Sequence, residues 1–229
     1  MNVSSRITAN PSSENNVDCM QISRLLEARK GRLVVKRVFD VVASFIGILI
    51  LSVFFAIIAV IIKFDSKGTV FYRQIRVGKA GKHFRIFKFR TMKFDADKNG
   101  QLLTVGNDQR ITKAGHFLRK TKLDELPQII NVLRGEMSFV GPRPEVPRYV
   151  ELYNETQRQI LLMRPGITDI ASIEYRNESA ILAASEDPER TYIEEIIPSK
   201  INLNMRYLYS ISIVQDIRII LLTIIKIFK

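Results

Sequence analysis

Leu123-Asp124-Glu125-Leu126-Pro127-Gln128-Ile129-Ile130-Asn131-Val132-Leu133-Arg134-Gly135 places two adjacent carboxylates at the start of a short amphipathic helix. Leu126, Ile129, Ile130 and Leu133 fall at i, i+3, i+4 and i+7, which gives that helix one apolar face. Pro127 suits a first turn, where its missing N–H costs nothing. Gly135 after Arg134 predicts the C-terminal stop. Asp124 and Glu125 are therefore expected at the positive end of the helix dipole, where free backbone N–H groups favour negative charge. Basic residues crowd the same stretch: Arg119, Lys120, Lys122, Arg134 and Arg143. Carboxylates ringed by cations suit a metal-assisted reaction on a phosphate. The acids hold a divalent cation or attack phosphorus, and the arginines neutralise phosphate oxygens. On local grounds alone, an acidic pair at a helix start is more often a capping device.

The chain has 229 residues, with 35 Lys and Arg against 23 Asp and Glu, a net charge of +12. That length fits one large domain or a small domain with an appendage. The charge points to an anionic partner: nucleic acid, a phosphate-bearing substrate or an acidic membrane surface. One cysteine, Cys19, excludes an intramolecular disulfide framework. With only His83 and His116 beside it, ligands for a structural zinc site are lacking. Any metal is expected to be a hard one held by oxygens.

Residues 1–32 are polar and rich in Ser and Asn, and read as a mobile or loosely docked leader with a helical turn or two over 21–27. No basic segment precedes a hydrophobic core with a cleavage site, so no signal peptide is expected. Residues 41–62 then form an uncharged run in which only Ser44, Gly47 and Ser52 are not strongly apolar. As a helix it would be about 33 Å long at roughly 1.5 Å per residue, enough to cross a bilayer core of about 30 Å. Such a run is hydrophobic all round and is placed in the membrane. Arg29, Lys30, Arg32, Lys36 and Arg37 precede it; Lys63, Lys67, Arg73, Arg76, Lys79 and Lys82 follow. Neither flank is clearly the positive one, which suits a helix that enters and returns to the same face.

Residues 68–78 and 83–92 alternate bulky and basic side chains around Lys79-Ala80-Gly81-Lys82, a hairpin signature. The interleaved Phe and Arg are also compatible with nucleic-acid binding, and strand alternation with one solvated or headgroup-facing side explains them at least as well. Residues 94–109 read as a loop. Residues 111–120 read as a short helix with Thr112 as N-cap and with Ala114, Phe117 and Leu118 facing inward. Gly141-Pro142-Arg143-Pro144 lies in a proline-punctuated loop that fixes an arginine in extended backbone. Residues 145–163 are helical in pattern, through Val150, Tyr153, Ile160 and Leu161. A helix is also expected from Ser185-Glu186-Asp187-Pro188. The last segment, 211–229, carries a broad apolar face, with Gln215, Asp216, Arg218, Lys226 and Lys229 elsewhere, and reads as an interfacial helix.

Phe117-Leu118-Arg119-Lys120-Thr121, Leu123-Asp124-Glu125-Leu126-Pro127-Gln128, Asn131-Val132-Leu133 and Met137-Ser138-Phe139-Val140-Gly141-Pro142-Arg143-Pro144, in that order, closely resemble the bacterial sugar transferase family, the monotopic phosphoglycosyl transferases. The resemblance runs from about Val35 to the C-terminus. Relatives commonly break the membrane helix at Ser-Pro, where this chain has Leu51-Ser52-Val53. They usually carry Gly-Pro-Val at Gly68-Thr69-Val70. Many read Gly-Ile-Thr-Gly where this chain has Gly166-Ile167-Thr168-Asp169, a region expected to help choose the sugar.

The resemblance implies an α/β fold: a small, mostly helical domain with a β-hairpin, a re-entrant N-terminal membrane helix and interfacial amphipathic helices. The expected divisions are a polar leader (1–35), the membrane helix (36–63) and a catalytic domain on the cytoplasmic face of the cell membrane (64–229). It implies transfer of a sugar-1-phosphate from a UDP-sugar to polyprenyl (undecaprenyl) phosphate with release of UMP, the first membrane step of surface glycoconjugate synthesis. Asp124 would attack the β-phosphorus and form a covalent phosphosugar adduct. Glu125, with Asp124 close by, would hold Mg²⁺, with Mn²⁺ as an alternative. Lys88, Arg90, Arg119 and Arg143 would contact phosphate oxygens. The expected partners are the donor, the lipid acceptor and membrane lipids, without nucleic acid; a homo-oligomer is left open. A single-step transferase with Asp124 as base is a rival. A membrane-anchored, non-catalytic nucleic-acid binder is the alternative of another class.

Overall fold

A computed structural model describes residues 19–93, 96, 103–106 and 108–228. The leader before residue 19 and most of the loop expected at 94–109 lie outside the described residues. Helix α1 (Cys19–Ala28) leads into α2 (Lys30–Asp65), and strands β1 (Phe71–Val77) and β2 (His83–Phe89) follow. Helix α3 (Lys113–Lys120), a 3₁₀ turn (Leu123–Glu125), α4 (Gln128–Arg134) and β3 (Ser138–Val140) come next. Short turns α5 (Pro147–Val150) and α6 (Glu155–Arg158) precede β4 (Gly166–Thr168), α7 (Ile170–Glu174), α8 (Glu178–Ala183) and α9 (Pro188–Thr191). A π-helical turn (Tyr192–Ile196) then opens into α10 (Ile197–Tyr209), and α11 (Ile213–Phe228) ends the described chain. The fold is mostly helical with a β-hairpin, as expected in outline, and has a second small sheet.

β1 and β2 form the expected antiparallel hairpin, with Phe71 opposite Phe89 and Val77 opposite His83. The hairpin aromatics serve packing. Phe84, Phe87 and Phe89 are buried, Phe71 stacks on Phe89 at 5.5 Å, and the Arg73 and Arg134 guanidinium groups lie 4.4 and 5.0 Å from the Phe87 ring centre. The second sheet, a parallel pairing of β3 with β4, was not anticipated. Its strands have three residues each, too few for a periodic signal.

Helix α2 is longer than the apolar run, with 36 unbroken residues. The break that relatives carry at Ser-Pro is absent: Ser52 Oγ donates to the Leu49 carbonyl at 2.8 Å and the helix continues. One face packs on the domain along the helix. Near its start, Lys36 pairs with Asp216 of α11 at 2.5 Å, and Arg37 donates to the Val132 and Leu133 carbonyls at 2.7 and 3.1 Å. These two cations tie the start of the helix to the domain. Asp40 accepts from the Phe139 N–H at 3.2 Å. Gly47 lies so close to Ile129 that an added Cβ would sit 2.6 Å from its Cδ1. Towards the other end, Ile58 and Ile62 join Phe89 and Leu118 in a buried cluster. The opposite face is apolar and open, with Ile50 72% and Val53 70% exposed.

Several local expectations are corrected. Ile22 of α1 is fully buried in the main core, so the described part of the leader is docked. Thr112 caps α3 as expected, accepting from the Gly115 N–H, but Phe117 points outward at 61% exposure while Gly115 and Leu118 face in. Residues 145–163 are broken turns, because Asn154 and Gln157 form a capping box that restarts the helix. On α11 one apolar side is open, with Val214 78% exposed. Asp216, expected away from the core, is instead buried between Lys36 and the Tyr207 hydroxyl, which donates to it at 2.6 Å.

Candidate active site

Lys122 takes the left-handed conformation (φ 57°), unusual for a side chain with a Cβ. It turns the chain out of α3 into the 3₁₀ turn, and Leu123 packs against the cluster of Ile58, Ile62, Phe89 and Leu118. That anchor fixes the two following acids, and Asp124 and Glu125 are 7% and 8% exposed. Pro127 is the residue before α4, so the acids lie in the preceding 3₁₀ turn and not in the first helical turn. Gly135 ends α4 in the left-handed conformation, as expected. The fully buried Asn131 ties α4 to β2, accepting from the Phe87 N–H and donating to the Arg85 carbonyl, both at 2.9 Å.

Glu125 is held by two cations. Its Oε1 accepts from Lys88 Nζ at 2.9 Å and Arg143 Nη2 at 2.5 Å, while Oε2 accepts from Arg143 Nη1 at 3.1 Å. Burial alone would push this carboxyl up, but Arg143 and Lys88 outweigh it and hold it well below the usual range. Asp124 behaves in the opposite way. Its Oδ1 is buried with no hydrogen-bond partner, and burial, then the neighbouring Glu125 charge, raises its pKa. Two adjacent carboxylates are thus driven apart: one paired and ionised, the other unpaired and more basic.

Arg119 is steadied by threonines, donating to Thr91 Oγ1 at 2.8 Å and Thr104 Oγ1 at 3.3 Å, and Asp124 is among the charges acting on it. Arg143 is set by backbone crossing. A Cβ on Gly166 would lie 2.2 Å from the Gly141 N, so only glycines let these strands approach. The Arg143 N–H then donates to Asp169 Oδ2 at 3.1 Å. The site thus gathers Lys88, Arg119, Asp124, Glu125 and Arg143.

Arg90 is placed differently. Its Nη2 donates to the Ser66 carbonyl at 2.6 Å and Ser66 Oγ at 3.0 Å, capping the C-terminal end of α2. A helix end with unsatisfied carbonyls and a negative dipole competes well for a buried guanidinium. Asp169, in the stretch expected to help choose the sugar, accepts from the Arg143 N–H and from Asn204, which nothing in the sequence singled out. Gln128, behind the acidic pair, is 1% exposed with both amide atoms unpartnered.

Among the described residues no group of three or more His, Cys, Asp or Glu side chains converges as a metal cage. Mg²⁺ commonly needs only one or two carboxylates and completes its shell with substrate phosphates and water. The unpartnered Asp124 Oδ1 and the singly bonded Glu125 Oε2 fit that pattern.

The family model described as bacterial sugar transferase matches residues 31–229. The chain belongs to the bacterial sugar transferase family. Within it, the chain is 37% identical over 198 residues to a Klebsiella pneumoniae UDP-glucose:undecaprenyl-phosphate glucose-1-phosphate transferase, covering 85% of this chain and 40% of that protein. It is 38% identical over 205 residues to the galactosyl transferase CpsE of Streptococcus agalactiae, covering 85% and 42%. A third family member, the exopolysaccharide production protein PSS of Rhizobium leguminosarum, is 38% identical over 202 residues, covering 85% and 95%. The chain thus spans about two fifths of the first two relatives and nearly all of the third.

Proposed function

We propose that this protein moves a sugar-1-phosphate from a UDP-sugar to undecaprenyl phosphate, releasing UMP, at the cytoplasmic face of the cell membrane. The observation that carries this reading is the buried, unpartnered Asp124 Oδ1 beside a Glu125 clamped by Lys88 and Arg143. The relatives' names support the donor and acceptor classes. An Asp124 oxygen attacks the β-phosphorus; the bond to the bridging oxygen breaks, and UMP leaves with the electron pair. The phosphate oxygen of the lipid acceptor then attacks the same phosphorus and Asp124 departs as carboxylate. Its raised pKa makes Asp124 a stronger nucleophile than an ordinary carboxylate. Arg119 and Arg143 neutralise charge on the phosphoryl oxygens, and Lys88 keeps Glu125 ionised. Asp124 and Glu125 would hold Mg²⁺, or Mn²⁺, which when bound offsets charge on the diphosphate.

The membrane reading rests on α2, the one described helix long and apolar enough to cross a bilayer. Both its ends dock on the same domain, through Lys36 and Arg37 at one end and Ile58 and Ile62 at the other. An unbroken helix tied to one domain along its length supports a topology in which both of its ends stay on that domain's side of the membrane. The nucleic-acid alternative is weakened because Phe84, Phe87 and Phe89 are buried and offer no ring for a base to stack on.

The test is a panel of UDP-sugars with undecaprenyl phosphate in detergent, reading UMP. Release that needs both substrates and is lost in EDTA is expected. Release with no sugar in the panel, together with salt-sensitive binding of DNA or RNA, would overturn the proposal.

A further inference from the structure

The transferred sugar hangs on the attacked phosphorus by a single oxygen, so its ring must lie in space adjoining the Glu125–Arg143 clamp. Two clefts border Arg143. One is walled mostly by apolar groups, among them Val77, Pro142, Ile160 and Met163. The other is a narrow polar cleft lined by Arg143, Tyr153, Asp169, Ser172, Lys200 and Asn204. Its polar wall suits a ring that carries hydroxyls.

Asn204 supplies the decisive observation. It comes from α10 and is 3% exposed. Its Nδ2 donates to Asp169 Oδ2 at 2.6 Å, which fixes the amide's orientation, since the reverse would set two oxygens together. Its Oδ1 is left buried without a partner, and the residue lines the cleft. A buried acceptor of this kind calls for a donor from outside the chain. Asp169 is already engaged, accepting from the Arg143 N–H, from Asn204 and, at 2.6 Å, from the Ser172 N–H. It therefore serves as the rigid link between the phosphate clamp and the cleft. Lys200 closes the cleft, paired with Glu178 and 5.4 Å from the Tyr192 ring centre.

We propose that this cleft is the subsite for the donor's pyranose ring and that Asn204 is a specificity-determining residue, accepting a hydrogen bond from one sugar hydroxyl or acetamido N–H. Asp169 is a positioning residue that sets Asn204 against Arg143. The inference rests on the proposed transferase function. An epimer that turns that hydroxyl away leaves Asn204 Oδ1 unpaired and binds roughly 10- to 100-fold less well.

The test uses the full chain with Asp124→Asn, which silences turnover, and compares Asn204 with Asn204→Ala. Dissociation constants are measured for UDP, for UDP-glucose, UDP-galactose and their N-acetylamino forms, and for monodeoxy analogues of the preferred donor. The expected result is unchanged UDP affinity, a loss of roughly 10- to 100-fold for the preferred donor, and one deoxy donor that binds both proteins equally. Asn204→Gln, which keeps the amide but displaces it, is expected to lose the same preference if Asn204→Ala does not fold. Parallel weakening of UDP and every UDP-sugar, or no change at all, would overturn the inference. So would the absence of any sugar that binds more tightly than UDP. Tight, Asn204-dependent sugar binding without UMP release from the unaltered enzyme would count against the transferase reading alone.

Discussion

Arg143 holds both carboxylate oxygens of Glu125, at 2.5 and 3.1 Å, with about a third of its own side chain open to solvent. Glu125→Gln keeps the shape and removes the charge that Arg143 and Lys88 share. Breaking a buried pair costs about 3–5 kcal/mol; with Arg143 partly solvated, about 2–3 kcal/mol is expected, a fall in Tm of roughly 5–10 °C. The native pKa of Glu125 is depressed, so its stabilisation is complete above the unfolded value near 4.5 and fades as pH falls through the lower native one. Thermal unfolding from pH 7 to pH 3 checks this. A gap between wild type and variant that widens on acidification would contradict it.

Asp124 carries the opposite sign. Its native pKa is raised by burial and by Glu125, so between the unfolded value near 3.8 and the native value the folded protein binds more protons. Stability falls as pH rises through that window. Asp124→Asn removes the penalty, and at pH 7 in EDTA it is expected to unfold about 2–4 °C above wild type. The advantage should vanish below about pH 4, where the unfolded carboxyl is itself protonated. Turnover is lost in the same variant. A variant less stable than wild type at pH 7 would show that Asp124 has a partner in the folded state.

Arg90 separates a structural role from a phosphate contact. Arg90→Met uncaps α2 at Ser66 and is expected to lower stability by about 1–3 kcal/mol, with the affinity for UDP-sugar unchanged. Loss of that affinity at full stability would return Arg90 to the phosphate site.

The docking of both α2 ends predicts one-sided topology. Ser5→Cys and Lys79→Cys, made separately in a Cys19→Ser background, are expected to resist a membrane-impermeant maleimide in intact cells and to react after permeabilisation. Labelling of the Ser5 position alone in intact cells would mean that α2 spans the bilayer.

What the sequence revealed followed from local periodicity. The apolar stripe of α4 with its Gly135 stop, the hairpin alternation and the long run of α2 were all legible because each pattern is complete within its own segment. Arg119, Asp124, Glu125 and Arg143 were legible as a group because the family motif keeps them within 25 residues of one another. What stayed hidden depends on distant partners. Asp216 looked solvated because Lys36, which pairs with it, lies 180 residues away. The Arg90 bonds to Ser66 were not legible because charge alone does not say whether a substrate or a helix end will take a guanidinium. Val150, Tyr153 and Ile160 mimicked one helix while belonging to separate turns restarted at Asn154. Asn204 and Asp169 meet across 35 residues and two helices, which no spacing rule connects.

The most direct measurement is the intact mass of the protein incubated with its UDP-sugar and Mg²⁺ in the absence of lipid acceptor. A covalent phosphosugar on the peptide that contains Asp124, formed with stoichiometric UMP and absent from Asp124→Asn, is the predicted result. An unchanged mass, with UMP appearing only when undecaprenyl phosphate is added, would contradict attack by Asp124 and leave single-step transfer in its place.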